Sequence, residues 1–225
     1  MFTGIVEDLG TVVRLDRGAD FAHLTVDSPV AVTDRTIIGE SIAVNGVCLT
    51  VTAVDGTAFT ADVMHETLRR SSLGSLKSGD HVDVERAMPA DGRFSGHIVS
   101  GHIDGTGVVG SITPDGIAKV YTIRAPYGLM RFIAEKGSIA VEGVSLTVTS
   151  VTNDVFGVSL IPHTASHTVL AERRPGDIVN LETDPIAKYV DRLLSMPARG
   201  ATDGGARGSG GSGAITEHFL FEHGF

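Results

Sequence analysis

The chain contains nearly the same stretch of sequence twice. "SIAVNGVCLTVT" at 41–52 returns as "SIAVEGVSLTVT" at 138–149, and the register of 97 positions continues to either side without a gap. Between residues 40–54 and 137–151, 11 of 15 positions are identical. Two copies are too few for a solenoid, which needs about three repeats. The duplication therefore predicts two similar compact domains of about 100 residues each.

Each copy reads as a series of short strands. In the first copy these are "GTVVRL", "FAHLTVDS", "SIAV", "VCLTVTAV", "AFTADVM" and "HVDVERA", separated by Gly, Asp and Asn. Asn45-Gly46 between two alternating runs predicts a type I′ hairpin turn, in which both residues have positive φ. Six short strands with few helices favour a small closed barrel, since closure removes exposed sheet edges.

The second half of the repeated stretch alternates between apolar and polar positions. In "VCLTVT", Val47, Leu49 and Val51 fall on one face of the strand, and we expect that face in the core. Cys48 and Thr50 fall on the opposite face. The single thiol of the chain is thereby predicted to face whatever lies outside the barrel.

The sequence changes period after the second copy. Asp184 is a plausible N-cap and Pro185 suits the first helical position, so a helix is predicted over 185–196. Its apolar face comprises Ile186, Val190, Leu193 and Leu194. Residues 197–225 are predicted to form a flexible Gly-rich linker and a tail, "AITEHFLFEHGF", which is either a docking peptide or a remnant foreign to the fold. The predicted domains are thus 1–97, 98–184, the helix and the tail.

Composition excludes several classes of function. The 225 residues are 42% hydrophobic and 20% charged, and no apolar run approaches the roughly 20 residues that cross a bilayer. A net charge of −9 argues against nucleic acid. The start lacks a secretion signal and the lone cysteine cannot form an internal disulfide, so we expect the cytoplasm. His97 and His102 would point to opposite faces of a strand, so no metal site is expected.

The two copies differ mainly in their chemical groups. The aligned differences are Ile5 with His102, Asn45 with Glu142, Cys48 with Ser145, Glu66 with His163 and Ala87 with Asp184. Similar shapes with different groups predict two similar clefts that bind two molecules of one ligand. The unequal residues would then give the two molecules different roles, such as donor and acceptor.

An ordered set of motifs resembles the riboflavin synthase alpha chain family over residues 1 to about 195. The motifs are "MFTGIV", "NGVCLTV", "MHETL", "SGHIDG", "VEGVSLTV", "LIPHT" and "NLETDP". The resemblance implies an all-β fold of two six-stranded antiparallel Greek-key barrels with a C-terminal helix that assembles a homotrimer. It implies a dismutation in which two molecules of 6,7-dimethyl-8-ribityllumazine exchange a four-carbon unit, giving riboflavin and 5-amino-6-ribitylaminouracil. No cofactor or metal is implied; lumazine synthase is a suggested partner.

The same resemblance implies two sets of ligand contacts, many of them through the backbone. One lumazine would contact Gly4, Ile5, Val6, Cys48, Leu49, Thr50, Asp62, Val63, Met64, His65, Glu66 and Thr67. The other would contact Gly101, His102, Ile103, Lys136, Ser145, Leu146, Thr147, Ser159, Leu160, Ile161, Pro162, His163 and Thr164. Each working site would pair the N-terminal barrel of one subunit with the C-terminal barrel of a neighbour.

Five residues are candidates for the chemistry, and each has a simpler alternative role. Cys48 is a reactive group or an inert packed thiol. Ser41 and Ser145 are site hydroxyls or ordinary strand hydroxyls. His102 is a proton shuttle or a solvated loop imidazole. Asp184 has a catalytic task, a capping task, or both.

Two other functions remain open at this point. A non-catalytic lumazine- or flavin-binding chromophore protein would share the two-barrel fold, and a flavin-binding reductase barrel would need a nucleotide-binding domain that the sequence does not show. Both copies keep "LTVT" and a threonine at the end of the ligand segment, Thr67 and Thr164. Two intact sites favour catalysis over storage of one chromophore.

Overall fold

The structure is a computed structural model and describes residues 1–195. Met1–Asp191 form one compact unit. Of the unit that follows, Arg192–Phe225, only the end of a helix is described. Met196 and the predicted linker and tail at 197–225 lie outside the described residues.

The first copy forms a closed six-stranded antiparallel barrel, barrel 1. Its strands are β1 (Asp8–Arg17), β2 (Phe21–Asp27), β3 (Ser41–Val44), β4 (Val47–Asp55), β5 (Ala58–Met64) and β6 (His81–Arg86). They close in the order β1-β2-β5-β4-β3-β6. All six predicted strands are present, and the side chains of Val47, Leu49 and Val51 lie in the core as the alternation predicted.

The second copy forms an equivalent barrel, barrel 2. Its strands are β7 (Gly105–Asp115), β8 (Ala118–Arg124), β9 (Ser138–Val141), β10 (Val144–Val151), β11 (Val155–Leu160) and β12 (Ile178–Thr183). The closed order, β7-β8-β11-β10-β9-β12, matches that of barrel 1. The predicted all-β class with two six-stranded barrels is confirmed.

Helices are few and short. They are α1 (His65–Arg70), α2 (Tyr127–Met130), α3 (Pro162–Ser166) and α4 (Pro185–Ser195), with 3-10 turns at Ser72–Ser75 and Val169–Glu172. The sequence pattern predicted α4 but not α1 or α3, which follow β5 and β11 at equivalent places. Over the described residues, no helix is long and apolar enough to span a membrane.

The two β3-β4-type hairpins meet at the contact between the barrels. Asn45 and Gly46 have φ of 46° and 78°, and Glu142 and Gly143 have 51° and 86°, as the I′ turn predicted. A Cβ on Gly46 would lie 2.7 Å from the backbone nitrogen of Gly143, and the converse holds equally. Only glycine permits this approach.

The prediction that Asn45 and Glu142 supply different groups to the two clefts is wrong. Both side chains are fully buried where the barrels meet. Asn45 Oδ1 accepts a hydrogen bond from the Asp83 amide at 2.7 Å, and Glu142 Oε1 accepts one from the Asn180 amide at 2.5 Å. Their difference belongs to this inter-barrel seam, where Arg173 pairs with Glu142 at 2.8 Å.

Helix α4 begins as predicted. Asp184 Oδ1 accepts a hydrogen bond from the Ile186 amide at 2.9 Å, which is an N-cap contact. Lys188 binds Asp104 at 2.6 Å and Arg131 pairs with Asp191, so the helix is tied to barrel 2. Its apolar face is exposed to solvent at Ile186, Tyr189, Val190, Leu193 and Leu194.

Candidate active site

The segments that lead into the two barrels cross over. We call residues 3–6 the first leading segment and residues 100–103 the second leading segment. The Ser145 amide on barrel 2 donates a hydrogen bond to the Gly4 carbonyl at 2.7 Å. The Cys48 amide on barrel 1 donates one to the Gly101 carbonyl at 2.9 Å. Each segment therefore lies against the barrel formed by the other copy.

This crossing reverses part of the grouping that the sequence analysis gave. Gly4, Ile5 and Val6 were grouped with Cys48, but the Gly4 carbonyl binds the Ser145 amide and Val6 packs against the core of barrel 2. Gly101, His102 and Ile103 were grouped with Ser145, but they lie beside Cys48. The error arose because each segment was assigned to the barrel that follows it in the chain.

Glycine is required at both crossing points. Gly4 has φ of 75° and a Cβ there would lie 2.7 Å from Ser145 Cβ. Gly101 has φ of 81° and a Cβ there would lie 2.5 Å from Cys48 Cβ. The backbone of each leading segment is thus pressed directly against the residue that differs between the copies.

The first site is a cavity of about 230 Å³ on barrel 1. It is lined by Val47, Cys48, Glu66, Thr67, Arg70, Ser71, Gly101, His102 and Ile103. Cys48 is half-buried, with its thiol free and packed against a small cluster around Phe2 and Val99. The prediction that Cys48 lies on the outward face of its strand is confirmed, and His102 is exposed at the same cavity.

The segment Asp62 to Thr67 runs from the end of β5 into α1 beside this cavity. Met64 is exposed, whereas Val63 lies in the core. Asp62 Oδ1 is 2.8 Å from His23 Nδ1, and the Glu66 carboxylate pairs with Arg69 and Arg70, which lowers the Glu66 pKa. His65 is half-buried at the helix start.

The second site is built around Ser145 on barrel 2. His97 Nδ1 lies 2.6 Å from Ser145 Oγ, and the His97 ring is largely buried. Among the described residues, His97 Nε2 has no hydrogen-bond partner. A buried imidazole bound to a site hydroxyl can accept or return a proton through that hydroxyl.

The sequence interpretation places His97 on a strand, where its orientation argues against a metal site, and this strand placement is wrong. Neither His97 nor His102 lies in a strand. The repeat could not draw attention to His97 because moving back 97 positions from it passes the start of the chain. The one feature of the sequence that could have pointed to His97 is its position just before the second leading segment.

Burial and nearby carboxylates act in opposite directions on the pKa of His97. Burial lowers the pKa of His97 below its ordinary value of 6.5, while the carboxylates of Asp184 and Glu182 offset part of that shift. The imidazole is therefore neutral at neutral pH. Asp184 thus caps α4 and also acts electrostatically on the ring that contacts Ser145.

The remaining residues of the second predicted set lie along β10, β11 and α3. The ring centroids of His163 and His167 lie 4.4 Å apart with the rings tilted by 39°, and the Thr164 carbonyl accepts a hydrogen bond from Thr168 Oγ1 at 2.8 Å. The rest of this stretch, at the end of β11 and the start of α3, is Ser159, Leu160, Ile161 and Pro162. Lys136 has φ of 66° where the first copy has a glycine.

Several predicted contacts are core residues. The side chains of Leu49, Val63, Leu146 and Leu160 are buried inside the barrels, so they can reach a ligand mainly through their backbone. Thr50 and Thr147 are exposed on the outward faces of β4 and β10. Ser41 pairs in register with Thr50 in the β3-β4 ladder and is half-buried.

Known proteins match both the repeat and the whole chain. The family model for the lumazine binding domain matches twice, over residues 3–87 and 100–184. A riboflavin synthase of Actinobacillus pleuropneumoniae is 51% identical over 199 residues, which is 88% of this chain and 92% of that protein. A riboflavin synthase of Bacillus subtilis (strain 168) is 42% identical over 225 residues, which is all of both chains.

Solved structures show the same architecture. A crystal structure of LumP complexed with riboflavin has a TM-score of 0.75 and 25% identity, and covers 81% of this chain and 99% of LumP. LumP complexed with 6,7-dimethyl-8-(1'-D-ribityl) lumazine has a TM-score of 0.73 and 23% identity, with the same coverage. The second of these likenesses concerns the fold alone.

Two closed barrels, each with a site completed by a segment of the other copy, define a tandem lumazine-binding-domain protein. Identity of 40–51% to curated relatives across most of the chain is more specific than the fold. The chain belongs to the riboflavin synthase family.

Proposed function

We infer that this chain catalyses the dismutation of two 6,7-dimethyl-8-ribityllumazine molecules into riboflavin and 5-amino-6-ribitylaminouracil, a transferase reaction. The relatives named riboflavin synthase carry this inference, together with the presence of two equivalent sites rather than one. A four-carbon unit leaves one lumazine and joins the other. The protein's main task is then to hold two ring systems in register.

Incubation of the purified chain with the lumazine tests this inference. Riboflavin absorbance should appear at one molecule for every two lumazines consumed, and two lumazines should bind per chain. Binding of a single lumazine without riboflavin formation would instead identify a chromophore-binding protein. LumP, whose solved complexes hold a lumazine or a flavin, is a suitable comparison.

The residues of the second site fit proton transfer. We propose that Ser145 and His97 act as one unit, with the neutral imidazole receiving a proton through the serine hydroxyl. Asp184 would favour the imidazolium that then forms. Cys48 occupies the equivalent place in the first site, where His102 lines the same cavity but, within residues 1–195, no histidine is hydrogen-bonded to the thiol, so the two bound lumazines would have unequal roles. His102, Ser41 and Lys136 are kept as proposed contacts.

The catalytic assembly is proposed to be a homotrimer built through α4. The exposed apolar face of α4 supports this, because a monomer rarely leaves such a helix face in water. The first-site cavity of about 230 Å³ is also smaller than the roughly 300–1,000 Å³ of common small-molecule sites. A wall from a neighbouring barrel would enlarge and close it, pairing barrel 1 of one subunit with barrel 2 of the next.

Two further proposals concern the setting of the enzyme. The free thiol of Cys48 is compatible with a reducing compartment, and we place the reaction in the cytoplasm. Lumazine synthase is proposed as a partner because it would deliver the substrate. Co-sedimentation of the full chain, with and without residues 200–225, against lumazine synthase tests the second proposal.

A further inference from the structure

We propose that Glu85 and Glu182 are positioning residues, each of which fixes, from its own barrel, the backbone wall of the ligand site on the other barrel. The inference rests on the proposed function, since the sites concerned are the two lumazine sites. Neither glutamate was singled out by the sequence, because both are placed inside strands that read as ordinary barrel strands.

The two carboxylates make the same three contacts. Glu85 Oε1 accepts hydrogen bonds from the Thr3 amide at 2.7 Å and the Thr3 hydroxyl at 2.8 Å, and Oε2 accepts one from the Gly4 amide at 3.0 Å. Glu182 Oε1 accepts them from the Ser100 amide at 2.7 Å and its hydroxyl at 2.6 Å, and Oε2 from the Gly101 amide at 2.9 Å. Every donor belongs to a leading segment.

Both carboxylates are buried without a cationic partner. Glu85 and Glu182 are 7% and 1% exposed, and within residues 1–195 neither forms an ion pair. Burial raises the pKa of Glu85 even though its three donors favour the charged form. Burying a carboxylate that is bound only by the backbone and hydroxyl groups of one segment costs free energy, and an apolar side chain would hold the strands together without that cost. The carboxylate is well suited to fixing a peptide group in one orientation.

The fixed peptide group reaches the opposite barrel. The Gly4 amide binds Glu85 on β6, while the Gly4 carbonyl accepts from the Ser145 amide on β10. The Thr3 carbonyl likewise accepts from the His97 amide at 3.1 Å. Glu85 on barrel 1 is therefore connected, through one leading segment, to the serine and histidine of the second site. Glu182 is connected in the same way, through Gly101, to Cys48 in the first site.

If Glu85 and Glu182 only stabilised the fold, substitution of either one would weaken both ligand sites alike. A positioning role predicts a crossed effect, in which each substitution weakens the site on the other barrel. The chain provides a reporter for this distinction, because Cys48 is its single cysteine and lines the first site. Alkylation of Cys48 by a brief pulse of iodoacetamide, slowed by bound lumazine and ended before turnover consumes it, measures occupancy of that site alone.

The experiment compares Glu182→Gln with its repeat-equivalent control Glu85→Gln in the full chain. Glutamine keeps the size of the side chain but replaces one acceptor oxygen with a donor. The lumazine concentration that half-protects Cys48 should rise about tenfold in Glu182→Gln, as expected for loss of a hydrogen bond to a charged group, and less than twofold in Glu85→Gln. Total bound lumazine, measured by rapid filtration before turnover consumes it, should show the reverse loss at the second site in Glu85→Gln.

The outcomes separate this proposal from the proposed function. If lumazine fails to protect Cys48 in the parent chain, the assignment of the first site is wrong. If the parent is protected but both variants shift protection equally, or Glu85→Gln shifts it more, the positioning role is wrong. Should either glutamine variant fail to fold, Ser100→Ala and Thr3→Ala remove one hydroxyl donor from each carboxylate, and the same crossed pattern is required of them.

Discussion

The Nδ1 atom of His97 lies 2.6 Å from the hydroxyl oxygen of Ser145, across the boundary between the two copies of the repeat. His97 belongs to the chain just before the second copy, and Ser145 belongs to the strand that holds the second site. Among the described residues, this histidine–serine contact occurs beside Ser145 and has no counterpart at Cys48, although the fold is duplicated. It provides a concrete chemical difference between two sites of the same shape.

Replacing His97 by Gln is expected to slow turnover by about 10²-fold, the lower end of what a positioned acid-base group contributes. Lumazine binding should change little, because the ring is largely buried against the Ser145 hydroxyl. Steady-state kcat and equilibrium binding measured together check this. The control is His81→Gln, an exposed histidine paired with Glu172, which should turn over like the parent.

The same residue sets a pH dependence. Because the folded pKa of His97 is below 6.5, the ring stays neutral as pH falls through 6.5 and becomes charged only below it. Turnover should therefore hold through pH 6.5 and decline at lower pH. The unfolded chain binds more protons in that window, so stability should also fall as pH falls through it. In His97→Gln this contribution to the unfolding free energy should vanish, as urea titrations at several pH values would reveal.

Substitution of Asp83, in the inter-barrel seam, is expected to stabilise the folded protein. Its Oδ1 accepts the Val169 amide at 2.7 Å, but its Oδ2 is buried without a partner among the described residues. The equivalent residue in barrel 2, Asn180, accepts the Ser72 amide at 2.6 Å and donates to the Asn45 carbonyl at 2.9 Å. Asp83→Asn copies that arrangement, so it should gain about 1–3 kcal/mol at neutral pH.

The gain should depend on pH in a defined direction. Burial raises the pKa of Asp83 well above 3.8, and nearby Glu142 adds to this. The folded state then holds a proton that the unfolded state has lost, so parent stability falls as pH rises above 3.8. The advantage of Asp83→Asn should grow over that range and then level off. Asp20→Asn, an exposed change of equal charge, serves as the control, and an equal gain from it would disprove the seam argument.

Two substitutions of Asp184 distinguish its helix-capping role from its proposed role in turnover. Asn caps helices about as well as Asp, so Asp184→Asn should keep the stability of the parent, whereas Asp184→Ala should lose about 1 kcal/mol. Both variants remove the negative charge near His97, and both should slow turnover. Thermal unfolding and kcat on the same preparations test this. Full activity in Asp184→Asn would leave the residue with its capping role alone.

The exposed face of α4 is expected to hold the assembly together. Replacing Val190 and Leu193 by Glu would place like charges in the proposed contact between three α4 helices. If that contact is buried, the substitutions should destabilise the trimer by several kcal/mol. Sedimentation should show monomers, and turnover should fall with the trimer. Ile117→Glu, at an exposed hairpin tip, should leave both unchanged. A fully active monomer would refute the inter-subunit site.

Local sequence patterns correctly predicted several features of the fold and of the candidate site. The alternation around Cys48, the positive φ at Asn45-Gly46 and the cap at Asp184 each depend on a few neighbouring residues, and each was correctly predicted. The crossing of the leading segments could not be predicted in that way. Gly4 and Gly101 contact strands far away in the chain, and an irregular segment has no periodicity that identifies its partner.

Other parts of the site escaped prediction because burial decides their roles. Asn45 and Glu142 differ between the copies as strongly as Cys48 and Ser145 do, yet one difference lies in the seam and the other in the sites. Sequence comparison of two repeats shows which positions diverged. It does not show which of them face solvent, a partner strand or a ligand.

The crossing of the leading segments also bears on ancestry. Exchange of equivalent segments between two like units is the arrangement of a domain-swapped dimer, here joined into one polypeptide. An ancestor with one repeat could have completed its site only by pairing with a second copy of itself, and both sites would then have been identical. Within one chain the two halves can diverge, and here a histidine lies against the serine of one site while the other site carries a thiol, so that two molecules of the same ligand meet different chemical groups.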